Sequence, residues 1–156
     1  MAERAWEWEA REQIRDLVAR YNANGDSGRL DAVMELFARD ALLNLEDRQY
    51  RGVDQIRRMF DTAATGTRLE RAKTGSFIRH FTATHQIDLI DPRQATGRCY
   101  FQVLTQEGLD HWGRYLDEYA RHGDRWQFRS RSIHVDGRIP GGWSDRTEAR
   151  LRQPDP

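Results

Sequence analysis

Apolar residues near the start of the chain recur at Ile14, Leu17, Val18 and Tyr21, the i, i+3, i+4, i+7 spacing of one helix face. That stripe predicts a helix over residues 6–23, followed by an Asn-Gly-Asp turn that carries Asp26 on the side of the core. Leu30, Val33, Met34 and Phe37 predict a second, short helix. The run from Asp40 to Leu45 reads as a first strand, with RQYRG as its hairpin partner. Val53, Ile56, Met59 and Phe60 predict a third helix, ended by the Thr/Gly-rich segment from Thr62 to Gly75.

The second half changes period. Ser76–Ile90, Gln94–Thr105, Leu109–Ala120 and Arg125–Val135 read as long strands, separated by Asp91-Pro92, Glu107-Gly108 and His122-Gly123-Asp124. Helices first and a meander afterwards predict an α+β domain, with three N-terminal helices packed on one face of a curved, mainly antiparallel sheet. The expected domain covers residues 1–136. Residues 137–156, rich in Gly, Pro and charge, read as a loose C-terminal tail, with Ile139-Pro-Gly-Gly-Trp143 as a segment able to fold over a pocket mouth.

Strand parity raises a conflict at His80. In Ser76–Ile90 the even positions hold Ile78, His80, Thr82, Thr84 and Gln86, while the odd positions hold the more apolar set Phe77, Phe81, Ala83, Ile87 and Leu89. Simple alternation therefore turns His80 to solvent. An inward His80 requires a bulge that changes the parity, or a partner subunit covering the odd face.

Composition narrows the field. The 25 basic and 25 acidic residues cancel, so no electrostatic footprint for nucleic acid or an acidic membrane exists. Cys99 is the only cysteine, which excludes an intrachain disulfide. The N-terminal MAERAWEWEAREQ holds four acidic residues and no apolar stretch, so no secretory leader is expected, and a cytoplasmic protein is. The five histidines form no HxH or HExxH pair, and the chain has no Gly-rich phosphate loop or GxSxG turn. Neither metal nor cofactor is expected.

What remains is acid–base chemistry. Asp26 and His80 are candidates for a carboxylate–imidazole base, and the Tyr21 phenol for an adjacent acid or anchor. On Leu109–Ala120 one face carries His111, Gly113, Tyr115, Asp117 and Tyr119, a mixture suited to a cavity wall or to an ordinary aromatic β face. Arg131 lies among other arginines on the last strand, and Tyr50 beside the first hairpin.

Four segments in order, IRDLVARYNANGDSGRLDAVMELFARDA, the YRG hairpin, IRHFTATHQI and GRYLDEYARHGDRWQFRSRSI, resemble the nuclear transport factor 2-like superfamily and its SnoaL-like branch. The resemblance spans residues 10–136 and implies a cone-shaped α+β barrel. Within the branch the pattern is similar to scytalone dehydratase, lindane dehydrochlorinase and bile-acid 7α-dehydratase, metal-free lyases with an Asp–His pair. It implies catalytic roles for Asp26, His80, Tyr21 and Arg131, and substrate contacts for His111 and Tyr115, with Tyr50 a further contact. The implied activity is a dehydratase-type elimination on a small hydrophobic carbonyl compound, cyclic, polyketide- or steroid-like. An isomerase or polyketide cyclase using the same residues, and a ligand-binding module without catalysis, are the alternatives. The apolar face from Phe81 to Leu89 implies a homo-oligomer, dimer or trimer.

Overall fold

The computed structural model describes residues 5–74 and 77–153, without the side chains of 66–74. Four helices, α1 (Ala5–Asp26), α2 (Leu30–Met34), α3 (Gly52–Thr74) and α4 (Trp143–Leu151), accompany six strands. The strands are β1 (Phe37–Leu45), β2 (Arg48–Arg51), β3 (Ile78–Asp91), β4 (Gln94–Thr105), β5 (Gly108–His122) and β6 (Arg125–Arg138), in sheet order β2-β1-β6-β5-β4-β3. Among the described residues only β1 and β6 run parallel. The expected α+β layout holds, as a curved sheet that remains open, with β2 and β3 as its edges.

The predicted stripe on α1 is the buried one: Ile14, Leu17, Val18 and Tyr21 meet Val33, Leu43, Ile56, Val103 and Phe128 in one core. The helix runs past the expected turn and ends at Asp26. Its stop is a Schellman arrangement: Arg29 N–H donates to the Asn24 carbonyl (2.9 Å), Gly28 N–H to that of Gly25 (3.0 Å), and Gly28 takes φ +70°. A side chain at Gly28 would strain that conformation, so this glycine fixes where Asp26 stands.

Two segments depart from the pattern reading. The Thr/Gly-rich stretch continues α3 to Thr74, while Gly75 lies outside the described residues. Thr62 and Thr65 donate their hydroxyls to the carbonyls of Arg58 and Asp61 (3.0 and 2.8 Å), so these polar residues are satisfied within the helix instead of ending it. The supposed loose tail first extends β6 to Arg138 and then forms α4. Among the described residues no helix is long and apolar enough to cross a membrane.

Bulges decide which face each strand buries. On β3, Ala83 pairs with Tyr100 and Gln86 with Arg98, so Thr84 and His85 together oppose Cys99, and Thr84 takes φ +55°. Before the bulge Ile78 and His80 point inward; after it Ile87 and Leu89 do. The apolar odd face expected from Phe81 to Leu89 is therefore split between two sides of the sheet. On β5, Leu109 pairs with Leu104 and His111 with Val103, leaving Asp110 as the extra residue. Consecutive Asp110 and His111 are consequently both buried.

Candidate active site

The concave side of the sheet and the helices enclose a cavity of about 300 Å³. Its apolar wall includes Leu30, Met59, Phe60, Phe101, Ile133 and Leu151, and Tyr21, Asp26, His80, His111 and Tyr115 open onto it. The volume lies at the lower end of small-molecule sites, enough for a compound of one or two rings.

Asp26 and His80, distant in sequence, meet through a two-point grip. Asp26 Oδ2 accepts the His80 backbone N–H at 2.9 Å, and Oδ1 lies 2.6 Å from His80 Nδ1. A carboxylate at a helix C-terminus opposes the helix dipole, and these two donors offset that penalty. The carboxylate is an acceptor only, so in the neutral ring Nδ1 carries the proton and Nε2 the lone pair. Nε2 has no hydrogen-bond partner among the described residues. The His80 side chain is 21% exposed and that of Asp26 7%, so the ring is sheltered yet reachable from the cavity.

A second imidazole faces the same space. His111 Nδ1 lies 2.7 Å from Asp110 Oδ1, and the ring stacks on Trp143 of α4 (centroids 5.8 Å, 15°). The two imidazoles stand edge to face, 6.2 Å between centroids, with Phe101 packed against both. Burial pushes the His111 pKa down to about 4; Asp110 works in the opposite direction and loses. His111 is thus a neutral ring at physiological pH.

Tyr21 and Tyr115 form the floor behind them, ring centroids 6.1 Å apart, with Tyr115 stacked on Phe101 at 4.5 Å. Burial raises both phenol pKa values above the ordinary range, against the nearby Arg131 charge, so both remain O–H donors. The Tyr115 hydroxyl donates to Asn22 Oδ1 at 3.4 Å.

Arg131 and Tyr50 are outside the cavity wall. Arg131 is fully buried in a bidentate pair with Asp117 (2.8 and 2.7 Å), its guanidinium 4.1–4.2 Å from the rings of Tyr21, Tyr115 and Phe128. Burial disfavours its charge, but Asp117 outweighs that and the pKa is raised. Of the four residues for which the resemblance implies catalytic roles, Arg131 alone is off the cavity wall: the rings of Tyr21 and Tyr115 line the cavity and Arg131 stacks behind them. Tyr50 pairs with Leu43 across the β1–β2 hairpin and packs on the core. Cys99 is buried with its thiol pushed up to about 11 by burial, which suits packing and not nucleophilic attack.

Sequence reasoning missed Asp110 and α4. Regular alternation from His111 would turn Asp110 to the opposite face, and only the bulge brings it in. Trp143, Ser144, Thr147, Glu148 and Leu151 of α4 all line the cavity. Their signal was present as Trp143 and Leu151 at helical spacing in a segment otherwise too polar to stand out. Among the described residues no group of three or more His, Cys, Asp or Glu side chains converges as a metal-ligand set.

The profile of the SnoaL-like domain matches residues 6–132. No curated protein matches the chain. Solved structures share the fold: Rv3472 of Mycobacterium tuberculosis, a variant of a protein of unknown function, has a TM-score of 0.77 at 20% identity, covering 93% of this chain and 88% of that one. An NTF2-like protein with a cystatin-like fold from Novosphingobium aromaticivorans has a TM-score of 0.72 at 23% identity, covering 97% and 95%. A proposed scytalone dehydratase from the same organism has a TM-score of 0.70 at 15% identity, covering 91% and 95%. At these identities the likeness is one of fold.

Proposed function

The chain belongs to the SnoaL-like family, and on that premise we propose that it is a cofactor-independent lyase acting on a small hydrophobic carbonyl compound by dehydratase-type elimination. The observation that carries the reading is the two-point grip of Asp26 on His80 beside an apolar cavity. His80 Nε2 takes a proton from the carbon next to the substrate carbonyl. Asp26 stabilises the imidazolium that forms. Tyr21, held as a donor, hydrogen-bonds the carbonyl oxygen as negative charge develops there. The C–O bond to the β-hydroxyl then breaks as the C=C bond forms, and the His80 imidazolium returns its proton to the leaving oxygen, which departs as water. Arg131 acts from behind the Tyr21 ring, holding its position, and Asp117 keeps that cation in place.

A cavity of about 300 Å³ favours one- or two-ring substrates over a steroid. Incubation with a panel of one- and two-ring β-hydroxy ketones, followed by mass spectrometry, tests the reading. Loss of one water, abolished in His80→Ala and Asp26→Asn, is the expected result. A product of unchanged mass points to isomerisation or cyclisation, and binding without turnover to a ligand-binding module.

The homo-oligomer is proposed on a revised surface. Phe81, Tyr100, Trp112 and Leu116 share the outer face of β3, β4 and β5 and are 37–59% exposed. Light scattering at micromolar concentration should give a dimer or trimer mass; a monomer overturns this.

A further inference from the structure

The partner of His111 does more than hold a ring. Asp110 Oδ2 accepts the backbone N–H of Trp143 at 2.6 Å, and Oδ1 accepts that of Ser144 at 3.0 Å together with His111 Nδ1 at 2.7 Å. Trp143 and Ser144 are the first residues of α4, whose N-terminal N–H groups have no partner within the helix. One carboxylate therefore caps α4 and orients the imidazole. The approach is close: a Cβ on Gly142 would lie 2.4 Å from Asp110 Oδ2. The neighbouring backbone adds a further tie, Ile139 N–H to the Asp110 carbonyl at 2.8 Å. Helix α4 lies beyond residues 6–132, which the family profile covers, whereas Asp110 and His111 lie within them.

The geometry dictates the tautomer. A carboxylate already accepting two peptide N–H groups accepts from the ring as well, so His111 Nδ1 is the donor and Nε2 is bare. Nε2 has no hydrogen-bond partner among the described residues, and His111 lines the cavity. The ring is clamped between the carboxylate at Nδ1 and the Trp143 indole on its face.

We propose that Asp110 is a positioning residue that makes the second imidazole depend on the C-terminal helix: with α4 seated, His111 presents a fixed, bare Nε2 as acceptor for a hydroxyl or phenol of the ligand. The proposal rests on the reading of this cavity as the substrate site and narrows the substrate class to hydroxy-carbonyl compounds with an apolar body. Tyr21 supplies the donor for the carbonyl, and His111 the acceptor for the hydroxyl. A ligand lacking that hydroxyl leaves Nε2 desolvated and unpaired, which is how a site rejects an analogue without the donor.

The test uses the full chain labelled with [15N]histidine. Long-range proton–nitrogen spectra tell a protonated ring nitrogen from a bare one. The ligand probes are 2-naphthol and its methyl ether, which differ in the hydroxyl donor. In the wild type, His111 should show Nδ1–H and a bare Nε2 that shifts on adding 2-naphthol. The naphthol should bind about three- to tenfold tighter than the ether. Gly142→Ala leaves Asp110 and His111 in place but pushes α4 off the carboxylate. In it the hydroxyl preference should vanish with Nδ1–H retained, and in Asp110→Asn the His111 tautomers should mix as well, while the His80 signals stay in both. A wild-type His111 protonated at Nε2, or equal or absent binding of the two probes, overturns the proposal. So does a hydroxyl preference that survives in Gly142→Ala. Neither readout involves turnover, so a failed elimination assay leaves them intact, and their failure leaves the Asp26–His80 reading standing.

Discussion

Asp26–His80 and Asp110–His111 are chemically the same pair, joined at Nδ1 by contacts of 2.6 and 2.7 Å, and both open onto one cavity. Their supports differ. Asp26 reaches β3 from the end of α1, and its other oxygen is committed to the His80 backbone, so its grip is between layers of the fold. Asp110 is the residue next to its histidine, and its remaining capacity goes to the N-terminus of α4. His80 keeps 21% of its side chain exposed, His111 only 8%. A matched pair of imidazoles thus differs in its exposure to the cavity and in what else each carboxylate holds.

The sharpest way to break this contrast is by substitution within the two pairs. His80→Ala or Asp26→Asn should lower kcat by about 10² to 10⁴, while His111→Gln should act mainly on KM. Steady-state kinetics on an elimination substrate separates the two, and an equal loss of kcat at both histidines would erase the distinction. Next in size is the layer beneath both. Arg131→Met leaves Asp117 buried without its partner and should cost about 3–5 kcal/mol in chemical denaturation. By contrast Arg114→Ala, which breaks the exposed pair with Asp136, should cost about 1 kcal/mol or less.

Acid should separate the histidines through His111. Its folded pKa, about 4, lies below the 6.5 of an unfolded imidazole, so between those values the unfolded chain binds the extra proton. Stability must fall as pH drops from 6.5 toward 4, by about 3 kcal/mol over the window. Denaturation midpoints across this range should drop in the wild type and flatten in His111→Gln. The smallest effect is expected at the other end of α4, where Arg48 and Glu148 pair at 2.6 Å with side chains 18% exposed. Arg48→Ala should cost about 1 kcal/mol or less and leave the His111 tautomer unchanged, because the helix is anchored at Asp110.

Much of this was legible before any coordinates. The α1 stripe, the order of elements, the bounds of β4 and the pairing of RQYRG with the first strand follow from apolar spacing and turn chemistry. The candidate base was legible only by resemblance, since parity placed His80 outside. The bulge that overrules parity lies at Thr84, a β-branched residue in a left-handed conformation that carries no glycine or proline to mark it. Asp110 escaped for the same reason. Helix α4 was obscured because its apolar residues are few and its hold on the domain depends on a carboxylate more than thirty positions away. Arg131 was found, but its place behind the aromatic floor depends on Asp117 and three rings meeting in space, which spacing along a chain does not encode.

The Thr84 bulge leaves β3 as two half-strands in antiphase. Removing that one codon would restore regular alternation, and the strand would then have to choose. Keeping Ile87 and Leu89 beneath α1 would rotate His80 out to the solvent, whereas keeping His80 at Asp26 would expel the aliphatic pair. Loss of a single threonine outside the cavity wall thus sets the hydrophobic core against the Asp26–His80 pair, with every other residue unchanged.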